Sequence, residues 1–137
     1  SYEEVVFCGF GEPTERLELL CKTAAYLKEQ GVRCIRLNTN GLSDLLHGRK
    51  TAQDLHGLVD IVSISLNAGT EEEYQKVTRP RFPNAFAALQ EFAADCKDSV
   101  PTIMYSVVDI LPKTELDAAQ TLADRQGIPL RVRKFEH

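Results

Sequence analysis

The stretch Val5-Val6-Phe7-Cys8-Gly9-Phe10-Gly11-Glu12-Pro13-Thr14 decides the fold of this chain. Its apolar half predicts a buried strand, and its two glycines predict a tight turn. Pro13 suits the first turn of a helix, where no backbone N–H is needed. The stretch therefore runs from a strand to a helix start and leaves Glu12 at the end of the strand, where ligands bind in parallel α/β folds. The alternative is purely structural: the glycines make the turn and Glu12 complements the helix dipole.

The composition predicts one ordinary globular domain spanning residues 1–137, since 43% of the residues are hydrophobic and 26% are charged. A net charge of -4 argues against a nucleic-acid partner, which would need a basic face. No window approaches the roughly 18 apolar residues of a membrane-spanning helix, and no signal peptide opens the chain. We expect a cytoplasmic protein with no membrane partner.

The four cysteines, Cys8, Cys21, Cys34 and Cys96, are dispersed and form no Cys-x2-Cys pair. Because Cys8 and Cys34 fall in apolar strands and Cys21 on an apolar helix face, we expect buried thiols in a reducing compartment. At least Cys8 and Cys21 should point into the packed interior. No metal ligand is predicted.

Hydrophobic periodicity predicts four further strands after the first one, at Val32–Leu37, Val59–Leu66, Thr102–Ile110 and Leu130–Phe135. Helices are predicted between them. The main ones are Thr14–Gln30, one opened by a Thr70/Glu73 capping box, Asn84–Cys96 and Thr114–Gln126, and Ser43 is expected to cap a short additional piece. Strands that alternate with helices predict an α/β fold with a parallel sheet.

Polar residues recur with a period of two in three of the predicted strands. Parallel strands covered on both faces should be apolar on both. Here one face becomes polar towards the end of each strand, which favours a curved sheet or barrel with a polar ligand inside. Each polar residue taken alone is also compatible with local backbone bonding at a turn or edge. The residues concerned are Arg36, Asn38, Asn40, Ser63, Ser65, Asn67, Arg131 and Arg133.

These motifs together resemble the radical S-adenosylmethionine (SAM) superfamily. The resemblance rests on Gly9-Phe10-Gly11-Glu12-Pro13-Thr14, Asn38-Thr39-Asn40-Gly41 and Ser63-Ile64-Ser65-Leu66-Asn67-Ala68, in that order. It covers essentially the whole chain. The run Ser65–Pro80 resembles in particular the TatD-associated radical SAM subgroup. The resemblance implies a partial (βα)6 TIM-like barrel, of which this chain would supply strands two to six.

The resemblance also implies which residues bind the cofactor. Phe10, Gly11 and Glu12 occupy the motif that receives the amino group of SAM, with Phe10 in place of the usual first glycine. Asn40 belongs to the triplet that ends the next strand. Ser65 and Asn67 match the ribose positions, and Val108, within Val107–Asp109, would lie beside the adenine. Arg36, Arg131 and Arg133 would meet the SAM carboxylate or an anionic substrate, or else form ion pairs inside the barrel.

The family's Cys-x3-Cys-x2-Cys loop, which holds a [4Fe–4S] cluster, is not in this sequence. We expect a fragment of a longer enzyme, inactive alone, with no catalytic residue and no tightly bound cofactor; a relative without a cluster is the other interpretation. The whole enzyme would use SAM, the cluster, an electron donor and an unknown substrate to generate a 5′-deoxyadenosyl radical. The missing first strand would leave an exposed edge that allows self-association.

Two other functions remain open from the sequence. Gly9-Phe10-Gly11 could open a doubly wound nucleotide-binding domain, but the third glycine of Gly-x-Gly-x-x-Gly is Thr14 here. The acidic residue expected about 20 residues later is not at the end of a strand. The chain could also be a non-enzymatic module that binds a partner through the exposed edge of its sheet.

Overall fold

The computed structural model of this chain describes residues 4–8 and 11–135. Over those residues the protein is an α/β structure with a five-stranded sheet. The strands are β1 (Glu4–Phe7), β2 (Cys34–Thr39), β3 (Ile61–Ser65), β4 (Thr102–Val108) and β5 (Leu130–Arg133). The α-helices are α1 (Leu17–Glu29), α2 (Ser43–His47), α3 (Glu71–Thr78), α4 (Ala85–Ser99) and α5 (Lys113–Gln126), and Pro13–Arg16 and Ala52–Leu55 are 3₁₀ helices.

All neighbouring strands are parallel, and their order across the sheet is their order in the chain, β1-β2-β3-β4-β5. A doubly wound sheet reverses its strand order at a switch point. The five described strands contain no such reversal, so the doubly wound alternative is wrong for this sheet. Because crossovers between parallel strands are right-handed in almost all proteins, connections that all advance in one direction place the helices on one face.

The register divides the sheet into two chemically different faces. The apolar face is formed by the buried side chains Ile35, Leu37, Val62, Ile64, Ile103, Tyr105 and Val107. The polar face is formed by Arg36, Asn38, Ser63, Ser65, Met104, Ser106, Val108, Arg131 and Arg133. The sequence-based prediction that the polar strand residues share one face is therefore confirmed for the six that lie within strands.

The helices pack against the apolar face. Leu20 of α1, Leu89 and Phe92 of α4, and Ala119 of α5 belong to the same buried core as the apolar face. The apolar side chains of the polar face, such as Met104, do not belong to that core in the described part of the chain. The burial of α4 is the most extensive, since seven of its side chains are buried. The sheet therefore has one face covered by helices and another left for polar contacts.

The two outer strands are less buried than the three central ones. Val6 of β1 is 41% exposed and Val132 of β5 is 50% exposed. Cys8, which follows β1, is also exposed, so the prediction that its thiol points into the interior is wrong. The reason is that β1 pairs only with β2 among the described strands. Cys21 and Cys34 are partly buried, and Cys96 is buried.

Three helix starts differ from the sequence prediction. The predicted helix from Thr14 begins as the 3₁₀ helix Pro13–Arg16 and becomes α-helical only at Leu17. Ser43 is not the cap of α2: that position is Leu42, while the buried Ser43 hydroxyl accepts a hydrogen bond from Thr51 Oγ1 at 2.7 Å. The Thr70/Glu73 box is half formed, because Thr70 Oγ1 accepts from Glu73 N at 3.3 Å while Thr70 N donates to a different carboxylate.

Candidate functional site

Glu12 is the centre of the candidate site because its carboxylate joins the end of β1 to the end of β2. Oε2 accepts hydrogen bonds from Thr14 N at 2.9 Å, Thr14 Oγ1 at 2.6 Å and Thr39 Oγ1 at 2.6 Å. Oε1 accepts from Asn40 N at 2.7 Å. Glu12 therefore has the structural role expected at a helix start, since its side chain caps the 3₁₀ helix. It also links two β-α units, because its partners Thr39 and Asn40 lie in the next one.

The local sequence explains how Glu12 reaches those partners. Gly11 has φ +86, a left-handed conformation that glycine adopts without steric cost. Pro13 follows Glu12 and needs no hydrogen-bond acceptor for its nitrogen. The chain can therefore turn sharply between the strand and the 3₁₀ helix. The side chain of Glu12 then lies over the first free N–H groups of that helix.

Hydrogen bonds and close packing also fix the conformation at the end of β2. Thr39 is buried, and its hydroxyl both donates to Glu12 and accepts from Gly41 N at 3.1 Å. Gly41 has φ +80, and a Cβ there would come within 2.9 Å of both Ile64 Cγ2 and Leu89 Cβ. Only glycine fits against β3 and α4 at this position. The Thr39–Gly41 turn is therefore fixed by packing on one side and by the Glu12 carboxylate on the other.

Asn40 and Asn67, two of the predicted site residues, line one cleft of about 220 Å³. Tyr74 and Phe82 provide aromatic wall, and Glu15 and Arg81 contribute opposite charges. Burial raises the pKa of the Tyr74 phenol, which is therefore uncharged at neutral pH. Small-molecule sites are typically about 300–1,000 Å³, so this cleft has room for part of a metabolite. A polar group of a ligand would meet amide side chains from two adjacent strand ends.

Asn67 has an unusual backbone conformation for a residue other than glycine, with φ 66. Asparagine tolerates this left-handed region better than most residues. Its Nδ2 makes a long hydrogen bond to Ser65 O at 3.4 Å. Asn67 thus lines the cleft from the turn after β3, whereas Ser65, two residues earlier, lies on the polar face of the sheet.

The structure does not bring all the predicted site residues into one cavity. Gly11 and Glu12 border a separate groove of about 330 Å³ that also contains Cys8. Val108 borders a third groove, of about 540 Å³, with Arg131 and Arg133. The Glu12–Asn40 hydrogen bond connects the first groove with the Asn40–Asn67 cleft. Phe10 and Gly9 lie outside the described residues.

Glu115 is a residue that sequence reasoning missed. From the first turn of α5, its Oε1 accepts hydrogen bonds from Gly69 N at 2.8 Å and from Thr70 N at 3.0 Å. Thr70 Oγ1 lies 3.1 Å from Oε1 and 3.0 Å from Oε2. Glu115 therefore fixes the loop that follows Asn67. The sequence showed an acidic residue in the first turn of a predicted helix. It gave no sign that the carboxylate bonds to Thr70, 45 residues earlier in the chain.

Ser106 was also missed. It pairs in register with Ser65 on one side and with Arg131 on the other, so these three residues form one row across the polar face. A serine between apolar residues of β4 was the available signal. It carried no information about register, which only the pairing of the strands supplies.

Among residues 4–8 and 11–135 there is no group of three or more His, Cys, Asp or Glu side chains that could hold a metal ion. Burial raises the pKa of the Cys96 thiol to about 12, helped by the nearby carboxylates of Asp44 and Asp95. Burial also raises the thiol pKa of Cys21 and of Cys34. Cys21, Cys34 and Cys96 are therefore poor metal ligands, both in position and in ionisation.

None of the helices in the described part of the chain combines the length and the apolar character needed to cross a bilayer. No protein-family model matches this chain, and no curated protein matches it significantly.

Proposed function

We propose that this chain provides the SAM-binding part of a radical SAM enzyme, and that its sheet is the wall of a partial barrel. The sequential order of parallel strands supports the barrel, because it keeps the helices on one face of the sheet. The polar residues of the other face would then line the interior. Ligand sites in such barrels are built at the carboxyl ends of the strands.

The observation that carries this proposal is the uneven use of the two Glu12 oxygens. A carboxylate offers about four acceptor positions, two on each oxygen. Oε2 already accepts three hydrogen bonds from the protein, whereas Oε1 accepts only one, from Asn40 N. Oε1 therefore has capacity for one further donor. An ammonium N–H of SAM is a suitable donor, because the contact would be charge-assisted.

The remaining predicted residues would position the rest of the cofactor. The Ser65 hydroxyl makes no hydrogen bond within the described residues, so it is available to a ribose hydroxyl. The Asn67 amide at the end of the same strand would be the second ribose contact. Asn40 would close the cleft between them and Glu12, and Val108 would offer apolar contact to the adenine at the end of β4.

The iron–sulfur cluster does not fit the residues of this chain. The described cysteines do not converge, and the sequence has no Cys-x3-Cys-x2-Cys. In this proposal the cluster ligands and the electron donor would come from outside the printed sequence. Such a cluster would supply the electron that divides SAM into methionine and a 5′-deoxyadenosyl radical, which would take a hydrogen atom from a substrate. The part of this chain would be to bind, orient and shield SAM.

The first test is the coding sequence around this chain and the SAM affinity of its product. A Cys-x3-Cys-x2-Cys motif in the tens of residues before Ser1 would support the proposal. In the product of that longer sequence, loaded anaerobically with iron and sulfide, Glu12→Gln should weaken SAM binding by about 10- to 150-fold. Ser65→Ala should weaken it by about 2- to 10-fold and leave the melting temperature unchanged, because Ser65 has no described side-chain partner.

Thr39→Val is the matched control for Glu12→Gln. It removes one hydrogen bond to Glu12 and the hydrogen-bond acceptor of Gly41 N, but keeps the carboxylate that would bind the ammonium. It should lower the melting temperature and change SAM affinity by less than about threefold. Equal loss of SAM affinity in Thr39→Val and Glu12→Gln would show that Glu12 acts through the structure alone. A coding sequence without the cysteine motif would overturn the enzyme proposal.

A further inference from the structure

The polar face of the sheet contains hydrogen-bonding groups that the protein itself does not use. Ser63 and Ser106 are each only 5% exposed, yet their hydroxyls make no hydrogen bond within the described residues. The Ser65 hydroxyl, beside Ser106 in the register, has none either. Among the described side chains Asp95 Oδ2 is the one buried atom without a hydrogen-bond partner, so the hydroxyl oxygens of these serines are still reachable from solvent. Unpaired, reachable hydroxyls on adjacent strands indicate a place where something else can bind.

Arg36 supplies a positive charge to this face. Its Nε donates to Asn38 Oδ1 at 3.1 Å and its Nη2 to Met104 Sδ at 3.8 Å. Because Arg36 lies on β2 and Met104 on β4, the guanidinium crosses over β3, where Ser63 pairs with Met104. Neither of its partners is charged. Among the described residues no carboxylate forms an ion pair with this guanidinium.

A second positive charge stands at the other side of the serines. Arg131 of β5 pairs in register with Ser106, and Arg133 follows it on the same face. Both are exposed and border the groove of about 540 Å³. Neither forms an ion pair with a described carboxylate. Glu4, at the amino end of β1, is the one acid whose register position falls on this face within the described strands. It pairs with Cys34, two residues before Arg36, and forms no ion pair with that arginine.

We infer that the polar face binds a small anionic ligand through a carboxylate or phosphate group. Arg36 and Arg131 would provide the charge from two sides, and Ser63, Ser65 and Ser106 would donate their hydroxyl protons between them. Guanidinium groups and hydroxyl donors are the groups that recognise carboxylates and phosphates. This inference stands on the polar face alone and is independent of the role proposed for Glu12.

The ion-pair network that the sequence left open for these arginines is not present in the described part of the chain. Each arginine instead carries an unneutralised charge in a protein whose net charge is -4. The charge on the polar face is therefore local and opposite in sign to that of the whole molecule. A local positive potential of this kind attracts small anions in particular.

The test uses the chain as printed, with inorganic phosphate and succinate titrated separately and followed by amide chemical shifts in NMR. Shift changes should concentrate at Ser63, Ser65, Ser106 and Arg131, and binding should weaken as salt is added. Arg36→Gln and Arg131→Gln should each weaken binding by at least about 10-fold. The matched control is Arg125→Gln, because Arg125 is exposed near the end of α5 and has no described ion pair.

Ser106→Ala provides a second readout that does not depend on the arginines. It should weaken anion binding and leave the melting temperature of the free protein unchanged, because the hydroxyl makes no hydrogen bond within the described residues. A lower melting temperature would show that the hydroxyl has a structural partner and would contradict the inference. Stronger shifts with phosphate than with succinate would identify a phosphate ligand, and the reverse a carboxylate.

Two outcomes would overturn the inference. In one, neither anion binds. In the other, shifts are scattered over the surface and Arg125→Gln weakens them as much as Arg36→Gln, which would mean an adventitious ion only. Failure here is distinguishable from failure of the SAM proposal, since phosphate has neither an ammonium group nor an adenosine. Anion binding without SAM binding would leave this inference intact and remove only the proposed function.

Discussion

Glu12 and Glu115 both use a carboxylate to hold a loop at the carboxyl end of the sheet, but they do so differently. Glu12 spreads its hydrogen bonds over its own helix start and the next strand end, and leaves one oxygen with a single donor. Glu115 uses both oxygens on Thr70 and adds Gly69 N on Oε1. Each carboxylate leaves one oxygen with a single donor, Oε1 in Glu12 and Oε2 in Glu115. The difference lies in burial, because the hydrogen bonds of Glu12 are partly buried whereas those from Glu115 to Thr70 are exposed to water.

The largest loss of stability should come from adding a Cβ at Gly69, beside Glu115. A Cβ on Gly69 would lie 2.2 Å from Glu115 O and 2.6 Å from Ala119 N, both of which are backbone atoms that cannot rotate away. Gly69→Ala should lower the free energy of unfolding by about 3 kcal/mol, at the upper end for overpacking. Urea denaturation followed by circular dichroism measures this.

The control for Gly69→Ala is Gly31→Ala, since a Cβ on Gly31 meets no atom within 4 Å. Gly31 has φ +89, so this control costs about 1–2 kcal/mol from backbone strain alone. If Gly69→Ala were no more destabilising than Gly31→Ala, the close approach of α5 to the loop after β3 would be wrong.

The next largest loss of stability is expected when either of the two carboxylates is replaced. Glu12→Gln should lower the free energy of unfolding by about 1–3 kcal/mol, because the new NH2 group faces backbone and hydroxyl donors. Glu115→Gln should cost less, about 0.5–1.5 kcal/mol, since most of its hydrogen bonds are exposed to water. Parallel urea titrations of the two variants test the order. A larger loss for Glu115→Gln would contradict the view that Glu12 has the stronger structural role.

The smallest loss of stability is expected at a surface carboxylate, Asp54, which serves as a reference for the two glutamates. The Arg49 guanidinium holds the pKa of Asp54 below its usual range, through hydrogen bonds at 3.1 and 2.7 Å. A lowered folded-state pKa stabilises the protein above the usual pKa of aspartate, and this contribution is lost as the pH falls through the folded value. Arg49→Gln should therefore reduce the melting temperature slightly at pH 7 and make no difference at pH 2.

The melting temperature of Arg49→Gln and of the unchanged protein should be measured across that pH range. Arg49 is more than half exposed, so solvent screens the pair and the difference should be smaller than for either glutamate. A difference that persisted at the lowest pH would show that Arg49 stabilises the fold by packing and not through Asp54.

Much of the fold could be predicted because it depends on local signals. Periodicity identified all five described strands, and the predicted ends of the first and last long helices lie within one residue of the observed ends of α1 and α5. The polar faces of β2, β3 and β5 followed from a period of two. Ser43 was misread because its buried partner, Thr51, is eight residues away and belongs to no motif. Cys8 was misread because the sequence of a strand does not reveal whether that strand lies at an edge.

The candidate site was harder to predict because its geometry depends on contacts between distant residues. Glu12 was visible as an acid between a strand and a helix, yet its bonds to Thr39 and Asn40 depend on how β1 and β2 align. Ser106 required the register of β4 against β3. Glu115 required the position of α5. In each case the residue type was informative, but its partner is fixed only by tertiary packing.

The exposed position of Cys8 has a practical consequence for studying this protein. Burial raises the pKa of the thiols of Cys21, Cys34 and Cys96, so a smaller fraction of each is the reactive thiolate at neutral pH. Cys8 is exposed and borders the same groove as Gly11 and Glu12. A maleimide dye or nitroxide label should therefore attach first beside the candidate site, where it would report ligand binding without an engineered cysteine.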